Sequence, residues 1–404
     1  MRTVFTGADV FDGTGVAPAP ADVVVEEGHI VDVGTALDGD HSIDVAGKTL
    51  LPGLFDCHVH VALTGIDLWR HLQTPFSYRF FQAVQNLRRT IGTGITTVRD
   101  AGGADLGVKQ AVADGLVDGP RMQISITMIC QTGGHGDGWL PSGFEFKLFP
   151  VHPGSPHNVV DGPDEMRQKV RELVRYGADV IKVATSGGVL SPGDQPHHAH
   201  FRADELEALV AEANAAGRFV MSHAQANEGI KNAVRAGIRS IEHGIYLDDE
   251  AIELMLERGT FLVPTLMAPT GVVRAAEAGV DLPPAILEKA RSVIGEHRGS
   301  VTRAIQAGVK VAMGTDSGVT PHGENLDELQ LMAECGMVPE RVLAATTSVA
   351  AELMGLGDEL GTIEAGKRAD LVVLDGDPFD LKTLANRIEA VYKDGVLVHE
   401  AATT

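Results

Sequence analysis

An apolar stretch that ends in two histidines reads Leu50-Leu51-Pro52-Gly53-Leu54-Phe55-Asp56-Cys57-His58-Val59-His60. In a β-strand the side chains alternate between two faces, so His58 and His60 would lie on the same face. Two imidazoles buried side by side need a binding partner, because an unpaired buried polar group is costly. A divalent metal ion is a suitable partner, since neutral imidazole is a common metal ligand. Such pairs also occur by coincidence, so a metal site requires further ligands from the rest of the chain.

Both ends of the chain carry short strand patterns separated by turns. Near the N-terminus, residues 22–26 and 29–34 flank Gly28, which is the pattern of a hairpin. Near the C-terminus, residues 388–392 and 396–398 flank Gly395 in the same way. Either end is too short to hold a good core by itself. We therefore expect residues 1–52 and 359–404 to form one small β-sandwich domain.

The middle of the chain alternates short apolar strands with amphipathic helices. The predicted strands are 54–60, 95–98, 122–129, 179–184, 218–223, 239–243, 260–265 and 309–315. The predicted helices include 164–176, 203–216, 227–236, 248–258 and 285–307. Eight such units predict an α/β fold, a distorted (β/α)₈ TIM barrel that spans residues 53–358. The alternative, a doubly wound open sheet, would require a glycine-rich phosphate turn after the first strand, and His58-Val59-His60-Val61-Ala62 is not one.

Polar residues stand in or at the ends of several predicted strands. In a TIM barrel the carboxyl ends of the strands carry the active site. The residues at these positions are His58, His60, Lys182, His223, His243 and Asp316. Each has an ordinary structural explanation by itself: Lys182 could pair with a carboxylate, and Asp316 could cap the next helix. Six such residues at one rim are better explained by a common site.

The composition limits the classes of partner and the compartment. The 404 residues include 33 lysines and arginines and 55 aspartates and glutamates, which gives a net charge of −22. An acidic surface of this size argues against nucleic acid or an anionic membrane as a partner. The three cysteines are widely spaced and predict no disulfide framework. Because there is no signal-like N-terminus and no apolar run of about 18 residues, we expect a cytoplasmic protein.

Three motifs together resemble the amidohydrolase superfamily over nearly the whole chain. LPGLFDCHVH at 51–60 resembles its strand-1 metal motif, and MGTDSG at 313–318 resembles its strand-8 aspartate. GKRADLVVLDGDP at 366–378 resembles the closing strands of its small β-domain. The pattern of Lys182, His223 and His243 resembles the members that hold two metal ions.

The resemblance implies two divalent metal ions, with zinc as the expected metal. The ligands would be divided between the ions, the first held by His58, His60 and Asp316 and the second by His223 and His243. Lys182, carboxylated by CO₂, would bridge the two ions, and a bridging hydroxide would attack the substrate. Uptake of CO₂ requires an unprotonated amine, and an apolar strand lowers the pKa of a lysine. Asp316 would take the proton from the attacking water and pass it to the leaving amine.

Two glycine-rich stretches narrow the resemblance to Xaa-Pro dipeptidases and imidazolonepropionase-like amidohydrolases. They are residues 131–137 (QTGGHGD) and 185–192 (TSGGVLSP). The resemblance implies that His135 hydrogen-bonds the developing oxyanion of the substrate. That branch commonly has a tyrosine two residues after the strand-5 histidine, whereas this chain has Gln225. An amide differs from a phenol in reach and pKa, which leaves room for a substrate other than a peptide.

Two further loops follow predicted strands. Residues 138–157 are rich in aromatic residues and proline, and we expect them to form a lid or an oligomer contact. Within this loop, Trp139 is a candidate for an apolar wall of the substrate site. The loop that contains His197, His198 and His200 is a substrate lid, an adventitious metal site or a solvated loop.

These observations predict a metal-dependent hydrolase that cleaves an amide C–N bond of a small molecule, such as an Xaa-Pro dipeptide or an N-acyl amino acid. One alternative is a xenobiotic aryl-amide, carbamate or urea hydrolase with the same two-metal site. Another is a catalytically silent scaffold, although scaffolds usually lose ligands and the full set is present here. We expect a small-molecule substrate, no nucleic-acid or membrane partner, and a homo-oligomer.

Overall fold

The computed structural model of the chain describes residues 1–191 and 193–401 and has a mixed α/β fold with parallel sheets. The strands of these residues are β1 (Arg2–Val10), β2 (Ala19–Glu26), β3 (His29–Gly34), β4 (His41–Asp44), β5 (Lys48–Pro52), β6 (Leu54–Val59), β7 (Ile95–Asp100), β8 (Arg121–Ile124), β9 (Met128–Ile129), β10 (Val180–Ala184), β11 (Phe219–Ala224), β12 (Ser240–His243), β13 (Phe261–Val263), β14 (Leu371–Asp375), β15 (Ile388–Lys393) and β16 (Val396–Glu400). The helices are α1 (Leu68–Gln73), α2 (Tyr78–Gly92), α3 (Leu106–Ala113), α4 (Pro163–Arg175), α5 (Ala203–Ala215), α6 (Asn227–Ala236), α7 (Asp249–Arg258), α8 (Met267–Glu277), α9 (Pro284–Ala307), α10 (Asp327–Glu334), α11 (Pro339–Ala345) and α12 (Ser348–Met354), with a short 3₁₀ helix at Leu384–Arg387.

One mixed sheet contains strands from both ends of the chain. Its order is β16-β15-β14-β5-β1-β2-β3, with β4 beside β1. The two ends meet where β14 pairs antiparallel with β5, so that Val373 lies opposite Leu50. A separate buried cluster that includes Phe5, Leu50 and Leu371 forms the core beneath this sheet. The β-sandwich form of this layer stays a prediction.

Two parallel sheets contain the apolar strands of the middle segment. One has the order β13-β12-β11-β10-β9 and the other the order β6-β7-β8. Every residue of β6, β7, β10 and β12 is buried, as expected for parallel strands that are covered on both faces. Their polar residues, which make up most of β7 and β12, are therefore buried in the interior, where they require partners.

The segment predicted as an eighth strand, 309–315, is not a regular strand. It makes a single bridge, from Val311 to Leu262 of β13. Its backbone is divided between the two parallel sheets: the Leu262 N–H donates to the Lys310 carbonyl at 2.8 Å, and the Cys57 N–H of β6 donates to the Met313 carbonyl at 2.9 Å. Residues 310 and 312 bond to β13 and residues 313, 315 and 316 bond to β6, so each neighbour is paired over too short a stretch for a regular ladder. The predicted strand 122–129 is likewise interrupted between Ile124 and Met128.

The helices pack their apolar stripes onto the parallel strands. In α4 the buried residues Met166, Val170 and Leu173 follow helical spacing and join Ile181 of β10 in the largest buried cluster. The helices predicted from this spacing correspond to α4, α5, α6, α7 and α9, with bounds that differ by no more than one residue at either end. Among the described helices, none is both long enough and apolar enough to cross a membrane.

Candidate active site

The histidines predicted from strand position lie together at the carboxyl ends of the parallel strands. His58 belongs to β6, His223 to β11 and His243 to β12, and His60 follows β6 directly. The ring centroids of His58 are 5.4 Å from His60 and 5.2 Å from His243, and those of His223 and His243 are 4.6 Å apart. His58 and His60 therefore lie next to each other, and the metal site that the alternation argument proposed stays a prediction.

Asp316 completes a compact group with the first two histidines. Its Oδ1 lies 3.2 Å from His60 Nε2 and 3.6 Å from His58 Nε2. Ligand atoms of the three side chains lie within 4.8 Å of one another, which is close enough to share one metal ion. Burial opposes ionisation of Asp316, but the hydrogen bond with His60 and the charges nearby outweigh it, so that the pKa of Asp316 lies below its usual value.

Three of the imidazoles are oriented by a hydrogen-bond partner at Nδ1. Nδ1 of His58 lies 2.8 Å from Glu242 Oε2, Nδ1 of His60 lies 2.7 Å from the Gly102 carbonyl, and Nδ1 of His243 lies 2.6 Å from Thr265 Oγ1. Carboxylates and carbonyls only accept hydrogen bonds, so Nδ1 carries the proton in His58 and His60. Nε2 is then free to bind an ion.

His223 has the opposite orientation. Its Nε2 lies 3.2 Å from the Gly187 carbonyl, so Nδ1 is the nitrogen left free. Burial lowers the pKa values of His58, His223 and His243 well below the ordinary histidine value. These three rings are therefore neutral near pH 7, which is the form that binds metals.

Lys182 is a buried amine without a hydrogen-bond partner among the described residues. It lies in the middle of β10, it is 1% exposed, and its Nζ contacts no acceptor within hydrogen-bond distance. Burial lowers the pKa of Lys182 to about 8. An unpaired polar group in such a place costs free energy, typically about 1–3 kcal/mol, unless a ligand or a modification satisfies it.

His135 lies beside the same cluster. Its ring stacks on His223 with centroids 4.2 Å apart, and its Nδ1 lies 2.7 Å from Ser191 Oγ. Ser191 in turn donates a short hydrogen bond to Asp194. The glycine-rich loop of residues 131–137 thus brings His135 to the site, as its position after a strand suggested.

One cavity joins these groups and has two chemically different sides. Its interior holds about 160 Å³, more than ten times the volume that a single water needs. The polar residues of the lining include His58, His60, His135, Lys182, His223, Gln225, His243 and Asp316. The apolar side includes Leu63, Ile66, Phe149, Val189, Val272 and Ile286. The cavity therefore suits a small molecule with one polar and one apolar part.

The prediction for Trp139 was wrong. Trp139 is 58% exposed and is not among the residues that line the cavity. It lies in a local turn bridged to Glu145, which directs it outward. Phe149 of the same loop lies in the cavity instead, stacked on His60 at 5.0 Å. His197 and His198 are exposed and contact each other, whereas His200 is buried; all three lie outside the cavity lining.

Three residues at the site hold a strained backbone. His243, Thr265 and Asp316 have φ values of 73°, 52° and 61°, in the left-handed region that non-glycine residues rarely adopt. Each such residue costs on the order of 1–3 kcal/mol and persists only where the surroundings impose it. Clusters of this kind are typical of functional sites, so the strain is independent support for the location of the site.

The chain belongs to the amidohydrolase family, whose sequence model matches residues 49–398. Ochratoxinase of Aspergillus niger is 34% identical over 366 residues, which cover 86% of this chain and 75% of that protein. A solved Xaa-Pro dipeptidase with bound methionine is 33% identical with a TM-score of 0.90 and covers 99% of this chain and 100% of its own. A prolidase complexed with N-methylphosphonate-L-proline is 37% identical with a TM-score of 0.91, with the same coverage. These relatives confirm the resemblance predicted from the motifs and support a hydrolytic enzyme.

Proposed function

We propose that this protein is a metal-dependent hydrolase that cleaves an amide C–N bond of a small molecule. The observation that carries the proposal is the cavity itself, where the four candidate metal-binding imidazoles, a carboxylate and a buried lysine without a partner among the described residues meet. The amidohydrolase family and its hydrolase members support a reaction of this class. An intact set of polar groups also favours an enzyme over a silent scaffold.

The donor set fits two divalent ions, with zinc as the expected metal. Imidazole nitrogens and carboxylate oxygens are the ligands that zinc prefers at catalytic sites. We assign His58, His60 and Asp316 to one ion, His223 and His243 to the other, and Lys182, carboxylated by CO₂, to the bridge between them. When bound, such ions polarise a carbonyl group and lower the pKa of water.

The chain's own residues supply positioning and proton transfer. The low pKa of Asp316 keeps its carboxylate ionised, so that it can accept a proton from the attacking water and deliver it to the leaving amine. We expect His135, stacked on His223, to donate from Nε2 to the substrate oxygen as negative charge develops. Because its Nδ1 donates to Ser191 Oγ, which itself donates to Asp194, this role requires a proton on both ring nitrogens. The apolar walls exclude water around these groups.

The two sides of the cavity favour an N-acyl amino acid or a dipeptide with an apolar portion. Gln225 lines the cavity, and its Oε1 is buried without a hydrogen-bond partner among the described residues, so it is available to a substrate N–H. The same features suit the second candidate, an aryl-amide, carbamate or urea, because that substrate also needs an apolar wall and an acceptor for N–H. The two candidates differ in the free carboxylate, which only the first possesses.

We also propose that the parallel sheets close into a distorted (β/α)₈ barrel within residues 53–358, with residues 1–52 and 359–404 as a composite β-sandwich domain. The backbone hydrogen bonds of residues 309–316 to both β13 and β6 support closure on that side.

Metal analysis and a substrate panel test the proposed function. Protein purified without chelators should contain close to two ions per chain, and fewer than one would contradict the two-metal site. The panel contains dipeptides, N-acyl amino acids, aryl amides, carbamates and ureas, with Asp316→Asn as the control for contaminating activity. Release of amine from none of these compounds by the metal-loaded protein would refute the proposal. Gln225→Tyr should shift preference toward Xaa-Pro dipeptides if residue 225 contacts the substrate.

A further inference from the structure

A buried carboxylate behind the first histidine is the least expected feature of the site. Glu242 is fully buried in β12, between Ile241 and His243. Three donors surround it: His58 Nδ1 at 2.8 Å from Oε2, Arg99 Nη2 at 3.0 Å from Oε1 and Ser240 Oγ at 2.6 Å from Oε1. A carboxylate with this many donors is satisfied in the interior despite its burial.

Arg99 fixes the carboxylate from the neighbouring sheet. It is 2% exposed, its Nε donates to the Cys57 carbonyl at 2.7 Å, and its Nη1 donates to Ser240 Oγ at 3.1 Å. The network therefore ties β6 and β7 of one parallel sheet to β12 of the other. One buried cation faces one buried anion, so neither charge is left uncompensated.

His58 differs from the other three imidazoles in the charge of its partner. His60, His223 and His243 are held by uncharged oxygens, namely the Gly102 carbonyl, the Gly187 carbonyl and Thr265 Oγ1. His60 also meets a carboxylate, that of Asp316, but through Nε2. Among these four, His58 alone has a carboxylate at the nitrogen that would not bind the ion. A carboxylate partner fixes the tautomer and also makes the imidazole a stronger ligand.

We propose that Glu242, held by Arg99, is a positioning residue that keeps His58 in the Nδ1–H tautomer and turns its Nε2 toward Asp316. The inference rests on the proposed function, because the benefit of this orientation is binding of an ion by His58, His60 and Asp316. The inference implies that affinity for the ion held by these three residues depends on Glu242, whereas affinity for the ion held by His223 and His243 does not.

Metal affinity of Glu242→Gln provides the first test. The amide keeps the size of the side chain but removes its charge and introduces a donor that must face Arg99 or His58. We expect affinity for one of the two ions to fall 10- to 100-fold, measured by competition with a chromogenic chelator, while the other ion is retained. Glu328→Gln is the matched control: Glu328 is equally buried but accepts from the backbone of Leu266 and Met267, so it should leave both affinities unchanged.

A double variant separates positioning from stability. Glu242→Gln leaves Arg99 as an uncompensated buried charge, which destabilises the fold by itself. Arg99→Met combined with Glu242→Gln removes both charges. If Glu242 positions His58, the double variant recovers thermal stability but not metal affinity. Recovery of metal affinity together with stability would overturn the inference.

The tautomer of His58 can be observed without metal. In ¹⁵N NMR spectra of protein from which a chelator has removed the metal, His58 should be in the Nδ1–H form in the wild type. In Glu242→Gln this form should be lost or should coexist with the Nε2–H form. If the wild type binds two ions and Glu242→Gln binds both with the same affinity, this inference is refuted and the proposed function stays intact. Wild-type protein that binds no ion would refute the proposed function, and an unchanged His58 tautomer in the variant would then refute the positioning role as well.

Discussion

At the scale of single residues, burial and neighbouring charges determine the protonation states of the groups in the site. The imidazoles of His58, His223 and His243 are neutral because desolvation disfavours their charged forms, and Asp316 stays ionised because histidines surround it. The same cavity therefore holds both neutral imidazoles that can bind an ion and an ionised carboxylate that can accept a proton. Perturbed pKa values gathered in a cleft are typical of active sites.

The role of Asp316 predicts the behaviour of Asp316→Asn. The amide cannot accept the proton of the attacking water, so we expect kcat to fall by about 10²–10⁴-fold, the usual contribution of a general base. An amide oxygen remains near His58 and His60, so most of the metal should be retained. Turnover and metal content measured on the same preparation of the variant would check this. If Asp316→Asn turned over substrate at the wild-type rate, Asp316 would be excluded from proton transfer.

The lowered pKa of Lys182 predicts how loading depends on pH. Only the neutral amine reacts with CO₂, and with a pKa of about 8 the neutral fraction rises as pH increases through that value. At a fixed concentration of dissolved CO₂, protein from which a chelator has removed the metal should therefore be reactivated by added metal faster at pH 9 than at pH 7. Lys182→Ala should lose bound metal and regain partial activity with short-chain carboxylates. Full activity without any carboxylate would contradict the carbamate.

The metal-site candidates could be predicted from the sequence because they stand at strand ends, and strand ends converge in parallel α/β folds. Glu242 and Arg99 were missed, although an acidic and a basic residue inside apolar strands were a visible signal. Nothing in the sequence says which buried charges on different strands face each other. Trp139 failed for another reason: a loop has no periodicity from which the direction of a side chain can be read.

At the scale of elements, the segment 309–316 shows where pattern and structure diverge. Its apolar residues resemble a strand, but its backbone pairs with β13 and with β6 over only two or three residues each. Hydrophobic periodicity reports burial, and burial is correct here: Val311, Ala312 and Met313 are all buried. It does not report which neighbour accepts each hydrogen bond, and that is the information that a strand assignment requires.

The tight fit of this segment predicts the cost of Gly314→Ala. A Cβ at this position would lie 2.4 Å from Val263 Cγ1 and 3.0 Å from the His58 Cβ and N atoms. We expect a loss of about 1–3 kcal/mol in the free energy of unfolding, as for other overpacked positions. Chemical denaturation would measure it. Gly295→Ala is the control, because nothing lies within 4 Å of its Cβ and a helical alanine should stabilise α9 by about 0.5–1 kcal/mol.

At the scale of the whole molecule, one surface departs from the acidic average. Residues 68–99 contain no aspartate or glutamate, in a chain of net charge −22. The same segment exposes large apolar side chains, among them Trp69 at 63% and Phe81 at 70%. Basic charge and exposed apolar side chains on an acidic protein are features that favour binding of a second, acidic surface. The homo-oligomer stays a prediction, and this surface is where we expect a second copy to bind.

Light scattering coupled to size exclusion would test that surface. The wild type should elute as an oligomer, and Trp69→Ser with Phe81→Ser should shift it toward the monomer without loss of secondary structure. Leu256→Ser removes an apolar side chain of α7 that is 44% exposed and should leave the mass unchanged. A monomeric wild type would contradict the prediction.

The sheet shared by both ends also has a consequence for biogenesis. During translation, β1 to β5 leave the ribosome long before β14 exists, so the edge of β5 that pairs with β14 must wait unpaired. An exposed strand edge is a site for aggregation, and chaperones protect nascent chains at such sites. A nonsense mutation just before β14 would leave every proposed metal ligand encoded, yet its product would fail as a folding defect and be degraded rather than accumulate as an inactive enzyme.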